Sequence, residues 1–136
     1  MLKQCLDIEQ AKHLHELGLD TSNAYMCWIV DESMKYKPFI SLSSDAIEHV
    51  DAITSAIPTF TSQDILDILP KEMTPMPTDR IKFKLCIYDG AIFYCFKDRI
   101  DDILVQFRID ENGLIDAAYE MLCWLIENGY IETNEQ

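Results

Sequence analysis

The side chains of this chain best suited to nucleophilic or metal chemistry are three histidines and five cysteines. His13 and His15 are two positions apart. On a helix of roughly 3.6 residues per turn they diverge by about 160°, too far to share one metal ion. His15-Glu16 opens like a zinc-protease motif, but Leu19 stands where the second histidine is required. His49 reads as a surface or helix-flank histidine. A cleft that gathered it with a cysteine or an aspartate would favour hydrolytic chemistry. Cys5, Cys27, Cys86, Cys95 and Cys123 form an odd set without CxxC spacing, mostly inside apolar runs. They read as reduced thiols packed as small hydrophobes.

Paired carboxylates occur at Asp101-Asp102, at Asp110-Glu111, and at Asp116 with Glu120. Such pairs can serve acid–base catalysis, which needs a shared cleft and perturbed pKa values. In a chain this acidic, the simpler reading of Asp116 and Glu120, four apart on one helix face, is a solvated surface. The segment around Asp110, Asn112 and Gly113 invites comparison with a calcium loop. With Gly113 at loop position six, however, Arg108 and Tyr119 occupy the positions that require carboxylates. The four glycines are all separated, and capping or turn roles account for each, so no phosphate-cradling loop remains. No catalytic, metal or cofactor site is assigned.

Charge narrows the field further. The 136 residues hold 24 acids and 11 bases, a net charge of −13. That opposes direct binding to nucleic acid and to anionic membrane surfaces. Residues 98–136 contain only two bases, Arg99 and Arg108, so the acidity is concentrated towards the C-terminus. The longest apolar run, Ala24 to Val30, is too short for a membrane span, and the first residues do not read as a signal peptide. A cytoplasmic location is expected.

The elements that must position these residues are legible in outline. Asp7 and Gln10 form a capping-box pair before a helix over Ile8 to Leu17, closed by Gly18. The apolar run Ala24 to Val30 predicts a strand covered on two sides, and Pro38 to Ser43 a further short strand. Ala46, Val50, Ile53 and Ile57 recur at helical spacing, predicting a helix capped by Ser44 or Asp45 and stopped at Pro58. Thr61 and Asp64 cap a shorter helix ending before Pro70, and Lys71 to Arg80 read as a proline-broken loop.

Two alternating runs joined by Asp89-Gly90 then predict a β-hairpin in which Tyr88 faces Ala91. Its core face carries Ile81, Phe83, Leu85, Ile87, Ile92, Tyr94 and Phe96. After an acidic turn, Asp98 to Asp102, the alternation of Ile103, Val105, Phe107 and Ile109 predicts a third strand of the meander. In the final helix, Leu114, Ala118, Met121, Leu122 and Leu125 face the core. Asp116, Glu120, Cys123 and Glu127 lie opposite. The expected fold is α+β: one domain over residues 1–136, a small mainly antiparallel sheet packed against three to four helices.

On the second hairpin face, Tyr88, Ala91 and Phe93 accompany Cys86 and Cys95, which are diagonal neighbours, and Lys82 and Lys97, which lie opposite each other. A disulfide between the two cysteines is allowed by geometry and disfavoured by a reducing compartment. The face is more apolar than a solvated one requires, so a covering helix and a protein contact both fit it. Tyr88, Phe93, Asp101, Asp102, Asp116 and Glu120 together make the candidate interaction surface.

The runs LDIEQAKHLHELGLD, IPTFTSQDILDILPK and LIDAAYEMLCWLIENGYI resemble a group of small uncharacterised proteins of gut Bacteroidales genomes, prophages and mobile elements. The resemblance implies an intracellular accessory protein of phage or mobile-element type, and it carries no active-site residues. The functional expectation is a non-enzymatic module that binds a protein partner, with homo-oligomerisation left open. Two alternatives stand beside it: an acidic decoy that mimics DNA, and a small hydrolase using carboxylate or Cys/His chemistry.

Overall fold

The computed structural model describes residues 3–74, 82–96 and 99–133, without the side chains of Ile47, Arg99, Ile100 and Asp101. The first helix, α1 (Ile8–Glu16), starts on the expected capping box. Asp7 accepts from the Gln10 amide at 2.8 Å, and the Gln10 side chain accepts from the Asp7 amide at 3.1 Å. Gly18, at φ +89°, closes it with a Schellman pair, Gly18 N–H to His15 O and Leu19 N–H to Leu14 O.

The expected α+β class holds, with the strands divided between two antiparallel sheets rather than gathered into one. In the first sheet β1 (Met26–Asp31) lies between β2 (Phe39–Leu42) and β3 (Thr54–Thr59). β3 replaces the second half of the helix expected over residues 45–57; the first half is a short 3-10 segment, Ser43–Glu48. The helical spacing of Val50, Ile53 and Ile57 is overridden by pairing of Thr54–Thr59 along all of β1, from Asp31↔Thr54 to Met26↔Thr59. Non-local pairing commonly outweighs such local preference. Pro58 is tolerated because β3 is an edge strand.

After β3, Thr61 and Asp64 form a second capping box at the start of α2 (Ser62–Ile68). Part of the expected proline-broken loop is a two-residue edge strand, β4 (Glu72–Met73); residues 75–80 lie outside the described residues. The second sheet runs β4-β5-β6-β7, with β5 (Phe83–Tyr88), β6 (Ala91–Phe96) and β7 (Arg99–Arg108). The hairpin register is Tyr88↔Ala91, and Asp89 and Gly90 both take the positive φ of a type I′ turn. Of the core face, Ile92 and Tyr94 are fully buried and Phe83 and Leu85 pack on the same core. Ile87, near the turn, is exposed, and Ile81 lies outside the described residues.

β7 begins at Arg99, so Arg99 to Asp102 belong to a strand rather than to an acidic turn. The register slips between Tyr94↔Val105 and Cys95↔Ile103, which places Ile103 on the face opposite Val105 and breaks the expected alternation. Leu104, the extra residue, packs on the main core. That core lies between β6, β7 and α3 (Leu114–Glu127), where Ile115, Ala118, Met121, Leu122 and Leu125 are buried. Cys123 is buried as well, contrary to its expected place on the solvent side, because α3 also packs against α2 and its buried face extends around the helix. Tyr130 follows the Schellman ending at Gly129 and stacks on Trp124 at 5.6 Å.

The N-terminal segment ties the first sheet to α3. The Leu6 carbonyl accepts from the Trp28 indole and from the Thr59 hydroxyl, both at 2.8 Å, while the Leu6 amide donates to Phe60 O. Three residues earlier, the Lys3 ammonium reaches Asp116 on α3 at 2.8 Å.

Candidate functional site

Of the carboxylates singled out in the sequence, Asp116 and Glu120 do share a recess. It is about 250 Å³ in volume and also lined by Phe107, Arg108, Asp110 and Ala117. Asp116 is held there by Lys3, by the Gln10 amide nitrogen at 3.0 Å and by the Asn112 amide nitrogen at 2.9 Å. Partial burial pushes its pKa up, but the hydrogen bonds from Gln10, Lys3 and Asn112 and the lysine charge outweigh this and hold it below the ordinary aspartate value. A carboxylate so saturated anchors the N-terminal segment and is poorly suited to take up a proton near neutral pH.

The other expected contact residues are dispersed. Tyr88 is 63% exposed beside the hairpin turn, whereas Phe93, on the same sheet face, is only 3% exposed and presents almost no surface. It packs with Ala91, Cys95 and Cys86 in a small cluster of its own. Asp102 is exposed on β7, Glu120 is exposed on α3, and the side chain of Asp101 lies outside the described residues.

A different region gathers more exposed apolar surface than any of these. Beside the three-stranded sheet, Tyr36, Phe39, His49 and Ile53 line a pocket of about 280 Å³ that also reaches Asp31, Lys37 and Asp51. Tyr36 is 67%, Phe39 45% and Ile53 53% exposed. Met34, 87% exposed, sits at the β1–β2 connection in a left-handed conformation, φ +60°, which methionine rarely adopts. β1 occupies one side of β2, and among the described residues no strand pairs with its outer side. The backbone edge beside the patch is therefore open.

This region also places His49 beside two aspartates, the arrangement that would favour hydrolysis. Its chemistry points elsewhere. Asp31 accepts from Ser33 Oγ at 2.7 Å, from the Ser33 amide at 3.0 Å and from the Tyr36 amide at 3.3 Å. Those bonds, the Ser33 hydroxyl first, lower its pKa. Asp51 accepts from the Ile53 amide at 2.9 Å. Both carboxylates shape turns, and the His49 ring packs edge-on against Phe39 at 5.2 Å. The thiols are no better poised: burial raises the pKa of Cys5, Cys27 and Cys95, and that of Cys123 to about 11. They are protonated, weak nucleophiles at neutral pH.

A larger pocket, about 360 Å³, lies between α1 and β3. Ala11, Ala56, Ile57 and Pro58 contribute its apolar wall, and Lys12, His15 and Glu16 come from the exposed side of α1. Among the described residues no cluster of histidine, cysteine and carboxylate side chains could hold a metal ion, and no helix is long and apolar enough to cross a membrane.

The strand expected over residues 38–43 forms as β2, but the exposed patch beside it is not legible in the sequence, where Val50 and Ile53 read as part of the buried stripe of a helix. The one local signal was the short strand over residues 38–43, with Phe39 and Leu42 on opposite faces. No family model, curated protein or solved structure matches the chain.

Proposed function

We propose that the chain is a non-enzymatic interaction module that docks an extended, cationic segment of a partner protein along β2. The observation that carries this reading is the coincidence of an unpaired strand edge with exposed Tyr36, Phe39 and Ile53. Main-chain hydrogen bonds to an open edge supply affinity, and side-chain pockets beside it supply specificity. Charge complementarity selects the occupant: residues 31–53 carry five acids against Lys35 and Lys37, in a chain of net charge −13. A segment alternating basic and apolar residues satisfies both features. An intracellular accessory role of phage or mobile-element type is part of the same proposal.

The decoy and hydrolase readings draw less support. Asp7, Asp31, Asp51, Asp64 and Asp110 each accept a backbone amide of a nearby turn or cap. These five carboxylates serve local structure, whereas a DNA mimic requires carboxylates arrayed like phosphates. Carboxylates tied into turns and protonated thiols likewise weigh against hydrolysis.

The test is selection from a library of displayed extended peptides, followed by amide chemical-shift mapping of the best binder. Basic, apolar-alternating sequences that perturb residues 39–42 and lose at least tenfold in affinity with Phe39→Asp are expected. Binders that map to α3 or to the hairpin, or a library that yields none, would refute the reading.

A further inference from the structure

Cys86 and Cys95 lie on neighbouring strands, Cys86 opposite Phe93 and Cys95 opposite Lys84. Diagonal neighbours across a strand pair are ordinarily roughly 7–8 Å apart at Cα. Here the two Sγ atoms are in contact at 3.5 Å, and both thiols are free. A disulfide bond is about 2.0 Å long, so closing the gap requires a combined shift of about 1.5 Å, which at the ordinary diagonal spacing takes a small movement of the two strands together with side-chain rotation. Cys86 is partly exposed and Cys95 fully buried, so a reagent in solution meets Cys86 first.

We propose that Cys86 and Cys95 form an oxidisable dithiol, which a small-molecule disulfide converts into an intramolecular bond between β5 and β6. The thiolate of Cys86 attacks one sulfur of the reagent; the reagent's S–S bond breaks and one small thiolate leaves. Cys95 then loses its proton to solvent and attacks Cys86 Sγ, displacing the second small thiolate. Two electrons pass from the protein dithiol to the reagent, which ends as two thiols. Burial keeps Cys95 protonated at rest, consistent with its acting second, and the charge of Lys84 favours its thiolate when it does. The reduced pair is the resting state in a reducing compartment, and the bond forms when the disulfide load rises.

The entropy that a bridge removes from the unfolded chain can be offset by strain in the bridged hairpin, so the decisive readout is chemical rather than thermal. The whole protein is incubated with oxidised glutathione under native conditions, then denatured, alkylated, digested and mapped by mass. Two of the five cysteines should escape alkylation, linked as one Cys86–Cys95 peptide pair. Cys95→Ser should accumulate glutathione on Cys86. Five alkylatable thiols after oxidation, a bond between other cysteines, a disulfide-linked dimer, or a stable glutathione adduct in the unmodified protein would each overturn the proposal. Should Cys95→Ser fail to fold, mapping of the unmodified protein decides alone. Because the readout is a thiol map in the other sheet, failure of peptide docking at β2 does not touch it.

Discussion

Asp116 shows what a residue's type conceals when its partners are remote. Its spacing from Glu120 suggests a solvated helix face, yet its carboxylate binds Lys3, 113 positions away in sequence. Hydrogen bonds to a charged group are worth about 1.5–3 kcal/mol each where well formed, and part of that is recovered by an amide. Asp116→Asn should therefore lower stability by about 1–2 kcal/mol at neutral pH, measured by urea unfolding. The folded-state pKa of Asp116 lies below its unfolded value, so its contribution is complete above the unfolded pKa, about 3.9. That contribution is lost as pH falls through the folded pKa. The variant should consequently approach the wild type in stability towards pH 3, and stability curves that stay parallel on acidification would show that this carboxylate is not an anchor. The caps made by Asp7 and by Thr61 with Asp64 were readable beforehand, because each partner lies three residues away.

At the scale of elements, success and failure divide along the same line. The hairpin was legible to the register because a two-residue turn dictates which residues face each other. Gly90, at φ +73°, has open space where a Cβ would stand. Gly90→Ala should thus cost only the backbone term, about 1–2 kcal/mol, with the hairpin register retained. An unchanged urea midpoint would mean that the turn relaxes to another type. The segment over residues 45–57 was misread because its apolar spacing satisfies a helix locally, while its pairing partner, β1, lies more than twenty residues earlier. The slip at Leu104 is illegible for a related reason: a bulge is specified by pairing with the neighbouring strand, and the order of residue types along β7 carries no mark of it.

Across the whole molecule, stability should be unevenly shared. The four-stranded sheet and α3 enclose the large core, whereas among the described residues the buried cluster beside β1 comprises Cys27, Ile29 and Ala46, with Ala56 packed against it. Regions with few buried apolar contacts open locally at lower free energy. Amide exchange should accordingly be slower in β6 and α3 than in β2 and β3, and equal protection would show that both sheets unfold as one unit. A loosely held edge beside exposed aromatic residues also suits a surface that pairs with a partner strand. The sequence by itself determined the α+β class, the caps, the hairpin and the net acidity, because periodicity, turn chemistry and charge are local or additive properties. Only the tertiary structure decided that the strands divide into two sheets, that Phe93 is buried while Phe39 is exposed, and that Cys86 and Cys95 touch. Each of those outcomes depends on which distant segments pair, and the stripe of apolar residues on one segment does not encode its partner.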